Sequence, residues 1–217
     1  MYNGSWVKYM KIIISILTII MCYLYGSIPF ALVIGQLFYH KDVREEGSHN
    51  LGGTNAGRVL GKKAGISVII LDGTKCIVSI LLTRLICQAA GISTELIYPS
   101  ALACIVGHCY PIFAGFKGGK GVSSAIAYAL MTNIYGFIIG VITFLTTLKL
   151  TKYVSLSSIL GALSILIATP FLKYTNIGGY SILGMITNAL IVALIIYRHK
   201  ENIIRLKNGT ENKVTWL

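Results

Sequence analysis

Long apolar segments recur along the whole chain, and they constrain the fold more than any other feature of the sequence. Six of them are long enough to cross a bilayer: 12–38, 66–87, 96–113, 134–148, 154–172 and 179–197. A membrane-spanning helix needs about 20 apolar residues to cross the hydrocarbon core. Only helices and closed barrels satisfy their backbone hydrogen bonds in lipid. The pattern therefore predicts an all-α polytopic membrane protein with a single domain over residues 1–217.

The balance of charged residues agrees with a membrane location. Only 12% of the 217 residues are charged, against about a quarter in a typical soluble domain. The formal net charge is +12, which on a soluble protein would suggest a nucleic-acid partner. On a membrane protein the same excess reflects Lys and Arg collected on the cytoplasmic side. No nucleic-acid partner is therefore predicted, and binding of a phosphorylated substrate needs separate support.

A shorter apolar piece, 122–131, leaves the number of spans open. Thr132 and Asn133 separate it from segment 134–148. The two pieces form either a tight hairpin of two short helices, giving seven spans, or one long broken helix, giving six. The first apolar run is far too long for a signal-peptide core, and no small-residue cleavage site follows it.

The distribution of Lys and Arg favours seven spans. If the loop after the first span lies in the cytoplasm and 122–148 crosses twice, most of the 19 Lys and Arg face the same side. Lys8, Lys11 and Lys173 then lie outside, whereas Lys75 and Arg84 fall within a span. The positive-inside rule thus predicts an external amino terminus and a cytoplasmic carboxyl terminus. The residues placed inside are Lys41, Arg44, Arg58, Lys62, Lys63, Lys117, Lys120, Lys149, Lys152, Arg198, Lys200, Arg205, Lys207 and Lys213.

Neither the cysteines nor the carboxylates predict a metal site or a cofactor. The five cysteines lie in or beside apolar spans, without zinc or redox spacing, and are interpreted as small packing residues. The two aspartates, Asp42 and Asp72, are thirty positions apart. Asp72 and Lys75 are three apart within a span, where an ion pair with a structural role is expected.

Two glycine-rich segments on the predicted cytoplasmic side are the strongest functional signal. Segment 47–65 holds six glycines together with basic residues, and segment 115–121 holds four glycines with Lys117 and Lys120. Glycine lets backbone N–H groups approach a phosphate closely, and cations and a helix N-terminus add favourable charge. One such loop would equally fit a turn with anchoring lysines, but two on the same face favour phosphate binding. Neither segment has the spacing of a nucleotide P-loop.

Two further segments on this face carry polar groups. Serines at 155, 157 and 158 open the sixth span, where they either cap the helix or donate hydrogen bonds to a phosphate. In the tail, His199, Asn202 and Arg205 recur every three residues and would share one face if the last helix continues. A basic tail that binds anionic lipid explains the cations but not this spacing.

Taken in order, these motifs resemble the acyl-phosphate-dependent glycerol-3-phosphate acyltransferases of bacteria, the PlsY family. The resemblance extends from about Gly26 to Glu211. The matching motifs are Gly26-Ser27-Ile28-Pro29-Phe30, Asp42-Val43-Arg44, 47–55 with Arg58, Gly107-His108 with Pro111, 115–122, Tyr153-Val154-Ser155-Leu156, and the tail residues His199, Asn202, Ile203, Arg205, Leu206, Gly209 and Glu211.

The resemblance implies a bundle of about seven transmembrane helices with a site open to the cytoplasm. It implies transfer of an acyl group from acyl phosphate to the 1-hydroxyl of glycerol 3-phosphate, without a metal or cofactor. Membrane lipid is the surrounding partner, and coupling to an enzyme that makes acyl phosphate is compatible with this role. The implied catalytic residues are Ser48, Arg58, Lys117, Ser155, His199 and Asn202. The implied substrate-binding residues are Asn50, Thr54, Asn55, Gly118, Gly119, Lys120, Gly121 and Arg205. The resemblance also implies that Thr54 and Asn55 shape the first loop and that Glu211 holds the tail.

The sequence departs from the family pattern at His49, Gly53 and Ser123. His49 stands in a glycine place that demands a positive φ if the loop is conserved, which a side chain resists. An inactive relative that binds lipid or a partner enzyme is therefore one alternative. An anionic-solute transporter is another, although no internal repeat supports it. On the acyltransferase interpretation His199 mainly orients substrate, and the donor phosphate takes the proton.

Overall fold

The computed structural model describes residues 4–175 and 181–214, and every regular element within these ranges is helical. The predicted all-α class is confirmed. The chain divides into two compact units, Met1–Gly119 and Lys120–Leu217. A single domain over the whole chain stays a prediction.

The first unit contains five α-helices. They are α1 (Gly4–Gly26), α2 (Phe30–Tyr39), α3 (Gly53–Val59), α4 (Lys62–Ala90) and α5 (Ile97–Cys109), with short 3-10 turns at Thr94–Leu96 and Ile112–Ala114. The predicted segment 12–38 is two helices, not one. The chain breaks at Ser27, Ile28 and Pro29, because a residue before proline avoids the helical conformation and proline has no N–H to donate.

Helices α1 and α5 cross at very short range because glycines lie at the crossing. A Cβ atom on Gly26 would overlap the backbone carbonyl of Cys104, and one on Gly107 would overlap the carbonyl of Tyr23. Small residues at helix crossings are typical of membrane proteins, where close backbone packing replaces the hydrophobic effect. Both glycines belong to motifs recognised in the sequence, so part of the motif pattern serves packing.

The second unit contains α6 (Val122–Thr132), α7 (Ile134–Thr151), α8 (Val154–Tyr174), α9 (Ile182–Arg198) and α10 (Lys200–Lys207). Asn133 separates α6 from α7 in an extended conformation, and its side chain accepts a hydrogen bond from the N–H of Gly136 at 2.8 Å. This bond caps α7, so the apolar stretch 122–148 consists of two helices. Helices α7 and α8 pack closely where Gly140 lies against Ile165.

The apolar helices make this a multi-pass membrane protein. Five described segments are long and apolar enough to cross a bilayer, namely Ser5–Tyr39, Lys62–Ala90, Thr94–Ala114, Ile134–Thr151 and Val154–Tyr174. A sixth is present if α9 and α10, which meet at a bend of 55°, are counted together. Helix α6 has only 11 residues. The count of seven spans and the orientation of the termini remain predictions, and part of the predicted span 179–197 lies outside the described residues.

Candidate functional site

The first glycine-rich loop is organised by the buried side chain of Asn55. Its Nδ2 group donates to the carbonyl of Val43 at 2.7 Å and to that of Asn50 at 3.0 Å. Its Oδ1 accepts a hydrogen bond from the N–H of Ser48 at 2.7 Å. Gly47 passes over this amide with φ +69, where a Cβ atom would overlap Asn55 Oδ1. Asn55 therefore fixes the backbone beside Ser48, and its own polar atoms are occupied by protein.

Asn50 connects the two glycine-rich segments within the first unit. Its Oδ1 accepts from the N–H of Gly52 at 2.8 Å, and its Nδ2 donates to the carbonyl of Gly118 at 3.1 Å. These bonds hold Gly118 next to the first loop, as expected if both segments serve one ligand. The side chains of Asn50 and Asn55 thus shape the loops. The resemblance implied this role for Asn55 but gave Asn50 only as a substrate-binding residue.

Two of the predicted site cations in the first unit are directed to solvent. Arg58 and Lys117 are exposed, and neither makes an ion pair with another described residue. Thr54 is exposed on α3, and Ser48 is half-buried. Their charges and hydroxyls are therefore available to an anion, whereas Gly118 and Gly119 are buried.

His49 adopts the left-handed conformation, with φ 53. A positive φ was expected here, because this position is glycine in the family pattern. The ring compensates for part of the strain, since Nδ1 lies 2.8 Å from the carbonyl oxygen of Arg44. A carbonyl oxygen only accepts, so Nδ1 carries the proton. The backbone of the loop thus accommodates a histidine at this position.

In the second unit, the carboxylate of Glu211 gathers three predicted site residues. Oε1 accepts from Ser155 Oγ and from Asn202 Nδ2, each at 2.7 Å, and Oε2 accepts from Arg205 Nε at 2.7 Å. Lys120 Nζ donates to Asn202 Oδ1 at 2.5 Å. Burial works to raise the pKa of Glu211, but the hydrogen bonds from Asn202, Ser155 and Arg205 outweigh it and lower the pKa below its ordinary value.

The tail that carries Glu211 is fixed at a second point. The N–H of Val214 donates to the carbonyl of Lys152 at 2.9 Å, and the Lys213 ammonium lies 5.4 Å from the ring centre of Tyr153. The tail therefore lies against the turn between α7 and α8. The structural role of Glu211 stays a prediction, and the same carboxylate also touches Ser155 and Asn202.

His199 lies directly after α9 and is almost completely buried, with 2% of its surface exposed. Its Nδ1 atom is 2.8 Å from the carbonyl of Ile195 and must donate to it, so Nε2 of the neutral ring can accept a hydrogen bond. Burial lowers the pKa of His199 to about 4, and the nearby Lys120 charge adds to the effect, against the opposing hydrogen bond to Ile195. The imidazole is neutral at physiological pH.

The structure answers two questions about these segments that the sequence left open. The last helix does not continue past Arg198, because α10 turns by 55° at His199. Asn202 and Arg205 still share a face, since both contact Glu211. The serines at the start of α8 do not cap it. Instead Ser157 and Ser158 donate to carbonyls four residues earlier, and Ser155 donates to Glu211.

The structure thus brings the predicted residues together in two groups, one in each unit. Hydrogen bonds join Ser48, Asn50, Asn55 and Gly118 in the first unit, and Lys120, Ser155, Asn202, Arg205 and Glu211 in the second. Thr54, Arg58, Lys117 and Gly119 also lie in the first unit, and Gly121 and His199 in the second. Within the described ranges, no three His, Cys, Asp or Glu side chains are placed to hold a metal ion.

A buried cluster on α4 and α5 was only partly anticipated. The expected pair is present, with Lys75 Nζ 2.9 Å from Asp72 Oδ1. The sequence did not indicate that His108 joins them, with Nδ1 3.4 Å from Asp72 Oδ1. The Gly107-His108 motif was the only available signal, and it gave no partner for the histidine.

Apolar helices joined to basic, glycine-rich segments define a membrane protein equipped to bind an anionic ligand. A family model described as glycerol-3-phosphate acyltransferase matches residues 16–209. The chain belongs to this glycerol-3-phosphate acyltransferase family, and the predicted resemblance is confirmed.

Curated relatives match over almost their whole length. The protein named glycerol-3-phosphate acyltransferase 2 of Bacillus anthracis is 43% identical over 202 residues, which cover 92% of this chain and 99% of the relative. The glycerol-3-phosphate acyltransferase of Listeria monocytogenes serovar 1/2a is 41% identical, covering 93% of this chain and 98% of the relative.

Two solved structures of PlsY, described as an integral membrane glycerol 3-phosphate acyltransferase, share the fold. The glycerol 3-phosphate form is 37% identical with a TM-score of 0.81, covering 92% of this chain and 95% of that one. The lysophosphatidic acid form is 36% identical with a TM-score of 0.78, covering 92% and 94%. The family, the integral membrane class and the helical fold therefore agree.

Proposed function

We propose that this protein transfers a fatty acyl group from acyl phosphate to the 1-hydroxyl of glycerol 3-phosphate, producing lysophosphatidic acid and inorganic phosphate. The observation that carries the proposal is the likeness, over nearly the whole chain, to a structure described as a glycerol 3-phosphate form. Acyl phosphate is the donor that the sequence motifs imply. The alternative of a solute transporter has no comparable support.

The charges of the two groups suit phosphorylated substrates. We assign Arg58 and Lys117 to phosphate binding because both are exposed and carry no ion pair among the described residues. We assign Gly118, Gly119 and Gly121 to close approach of the backbone to phosphate, with donors supplied by the N-terminus of α6, which Gly121 precedes with φ +82. Preorganised donors of this kind stabilise phosphate charge without reorganisation during the reaction.

The reaction needs no covalent enzyme intermediate because an acyl phosphate is already activated. The glycerol hydroxyl oxygen forms a bond to the acyl carbon, and the bond from that carbon to the phosphate oxygen breaks. The hydroxyl proton passes to the departing phosphate. Holding both substrates in place supplies most of the acceleration, since a well-oriented pair reacts as one molecule.

His199 fits the role of orienting the hydroxyl in this scheme. Its Nδ1 proton is committed to Ile195, so Nε2 is the atom that can accept from a substrate hydroxyl. A ring whose pKa is about 4 is a weak base, and general-base catalysis is most efficient when the pKa lies near the working pH. The donor phosphate is the better proton acceptor.

Ser155 and Asn202 complete the second group. Glu211 and Lys120 hold both polar ends of the Asn202 amide, which leaves its orientation fixed. Ser155 Oγ uses its proton toward Glu211 and retains lone pairs that can accept. We assign these side chains to positioning of the glycerol moiety beside His199.

We place the protein in the bacterial cell membrane with these segments facing the cytoplasm. The support is the concentration of Lys and Arg on one predicted side. Glycerol 3-phosphate is charged and reaches such a site from water, whereas the acyl chain reaches it from the bilayer. An enzyme that makes acyl phosphate at the membrane would supply the donor.

The decisive experiment supplies purified protein with labelled glycerol 3-phosphate and either palmitoyl phosphate or palmitoyl-CoA. The expected result is lysophosphatidic acid from palmitoyl phosphate alone. Lys117→Ala should lose activity. Lys149→Ala, which removes an equally exposed charge at the end of α7, is the matched control and should keep it. Product from palmitoyl-CoA would overturn the donor, and no product from folded protein would overturn the enzyme.

A further inference from the structure

A buried charged cluster in the first unit has no part in the reaction as proposed so far. Asp72 and Lys75 project from α4 and each exposes only 1% of its surface, while His108, near the end of α5, exposes 6%. Charged groups are costly to bury in a membrane protein and usually mark function or an essential contact. The bonds made by each member show what this cluster holds in place.

Lys75 supports the break between α1 and α2. Its ammonium donates to the carbonyl of Gly26 at 2.9 Å, to that of Ile28 at 2.8 Å, and to Asp72 Oδ1 at 2.9 Å. An ammonium has three protons, and these three acceptors use all of them. The two carbonyls belong to the break at Pro29, where the helical hydrogen-bond pattern ends.

Asp72 and Lys75 also determine how the ring of His108 is turned. His108 Nδ1 lies 3.4 Å from Asp72 Oδ1 and 3.5 Å from Lys75 Nζ. Because the Lys75 protons are already used and the Asp72 carboxylate only accepts, the Nδ1 proton points to Asp72. A partner on one ring nitrogen fixes both the tautomer and the orientation of the imidazole. The Nε2 edge consequently faces the opposite way.

The Nε2 edge of His108 lies directly against the second glycine-rich segment. A Cβ atom on Gly119 would overlap Nε2, and one on Gly118 would overlap the His108 carbonyl. That carbonyl accepts the N–H of Gly119 at 3.0 Å. His108 therefore contacts Gly119 through its ring and through its backbone, while Asn50 holds the Gly118 carbonyl from the other side.

We propose that Asp72, Lys75 and His108 are positioning residues for acyl transfer, which set the place of Gly118 and Gly119 against a bound phosphate. The inference rests on the proposed function. If the cluster only stabilised the break between α1 and α2, its loss would reduce the stability of the protein and leave its affinity for substrate unchanged. A positioning role instead predicts that loss of the cluster impairs the reaction itself. A shift of about 1 Å in a group that contacts substrate can lower the rate by about 100-fold.

The test compares kinetics and ligand binding in Asp72→Asn and His108→Ala with wild type. Both variants should raise the KM for glycerol 3-phosphate and lower kcat/KM by roughly 10- to 100-fold. The rise in melting temperature that glycerol 3-phosphate produces should shrink in parallel. Ser79→Ala is the control, since Ser79 is equally buried one helical turn beyond Lys75 on α4. It should leave KM and the ligand-induced shift unchanged.

A double-variant cycle tests the contact between His108 and Gly119 directly. Gly119→Ala alone should be severely impaired, because the added methyl group meets the His108 ring. In His108→Ala/Gly119→Ala the ring is absent, so the double variant should be no worse than Gly119→Ala. His108→Asn, which keeps a donor near the Nδ1 position, replaces His108→Ala in the cycle if that protein does not fold.

The outcomes separate this inference from the function on which it rests. Inactive wild-type protein that folds correctly would overturn the proposed function. Active wild type with fully additive losses in the cycle would overturn the positioning role, as would normal KM values in Asp72→Asn and His108→Ala despite lower melting temperatures. If Asp72→Asn does not fold, the cycle between His108 and Gly119 still decides the question.

Discussion

His49 shows how a residue with a side chain can occupy a loop position that favours glycine. A side chain in the left-handed region costs about 1–3 kcal/mol, and most for β-branched residues. Here the bond from Nδ1 to the Arg44 carbonyl at 2.8 Å offsets part of that cost. The hydrogen bond of His49 therefore partly compensates for the backbone strain that this departure from the family pattern introduces.

Replacement of His49 should separate backbone strain from side-chain bonding. His49→Val should lower stability by about 1–3 kcal/mol, because valine neither tolerates φ 53 nor replaces the hydrogen bond. His49→Gly should change stability little, since relief of strain balances loss of the bond. Chemical denaturation in a mild detergent measures both. Equal stabilities for the two variants would show that φ at this position does not matter.

The ionisation of His199 predicts how stability depends on pH. Its pKa is about 4 in the folded protein and 6.5 when exposed, so folding favours the neutral ring. The stabilisation is complete above about pH 6.5 and is lost as the pH falls toward 4. Glu211, whose pKa is also lowered, adds a further loss only below about pH 4.5.

Melting temperatures between pH 7.5 and 4.5 should therefore fall more steeply in wild type than in His199→Asn. Asparagine keeps a donor for the Ile195 carbonyl but does not titrate. The steeper slope should appear between pH 6.5 and 4.5, before Glu211 contributes. Parallel curves for the two proteins would contradict a depressed pKa for His199.

At the scale of helices, glycines at two crossings should differ in their tolerance of a methyl group. A Cβ on Gly107 would overlap the backbone carbonyl of Tyr23, which cannot move without displacing α1. A Cβ on Gly140 would overlap a side chain and no backbone, at 2.6 Å from Ile165 Cδ1 and 2.8 Å from its Cγ1. Side chains rotate away far more easily than backbones shift.

Gly107→Ala should consequently abolish folding or lower the melting temperature sharply. Gly140→Ala should be close to neutral, because alanine gains about 1 kcal/mol of helix propensity over glycine and offsets the crowding. Yield after size-exclusion chromatography and melting temperature provide the comparison. Similar behaviour of the two variants would mean that the α1–α5 crossing is not as close as described.

The element boundaries explain why sequence patterns predicted some features and missed others. Apolar length located the spans, because lipid imposes it on every helix. The same criterion merged α1 with α2, since Ser27, Ile28 and Pro29 are too short a break to interrupt an apolar run. It could not predict the bend at His199, which depends on the contacts of Asn202 and Arg205 with Glu211.

Local sequence patterns also could not predict contacts between residues that are distant in sequence. The family resemblance implied that Asn50 and Asn55 lie at the substrate and that Asn55 shapes the first loop, but it did not give the backbone partners of their amides. The Asp72–Lys75 pair was predictable because its members are three positions apart on one helix. The addition of His108, 33 positions after Lys75, required the packing of α5 against α4.

For the whole molecule, the arrangement of charge predicts how the chain lies in the membrane. Fourteen of its 19 Lys and Arg fall on one side only if 122–148 crosses twice. Seven crossings place the two termini on opposite faces, whereas six place them on the same face. The locations of Lys8 and Lys213 therefore distinguish the two topologies.

Labelling of single cysteines introduced at these positions can distinguish the two topologies, because all five native cysteines are buried. A membrane-impermeant maleimide should label Lys8→Cys in intact spheroplasts, and should label Lys213→Cys only after permeabilisation. Lys117→Cys should behave like Lys213→Cys, since a site that receives glycerol 3-phosphate from the cytoplasm requires that face. Labelling of both Lys8→Cys and Lys213→Cys before permeabilisation, with Lys117→Cys protected, would favour six crossings with both termini outside. Labelling of Lys117→Cys before permeabilisation would reject the orientation.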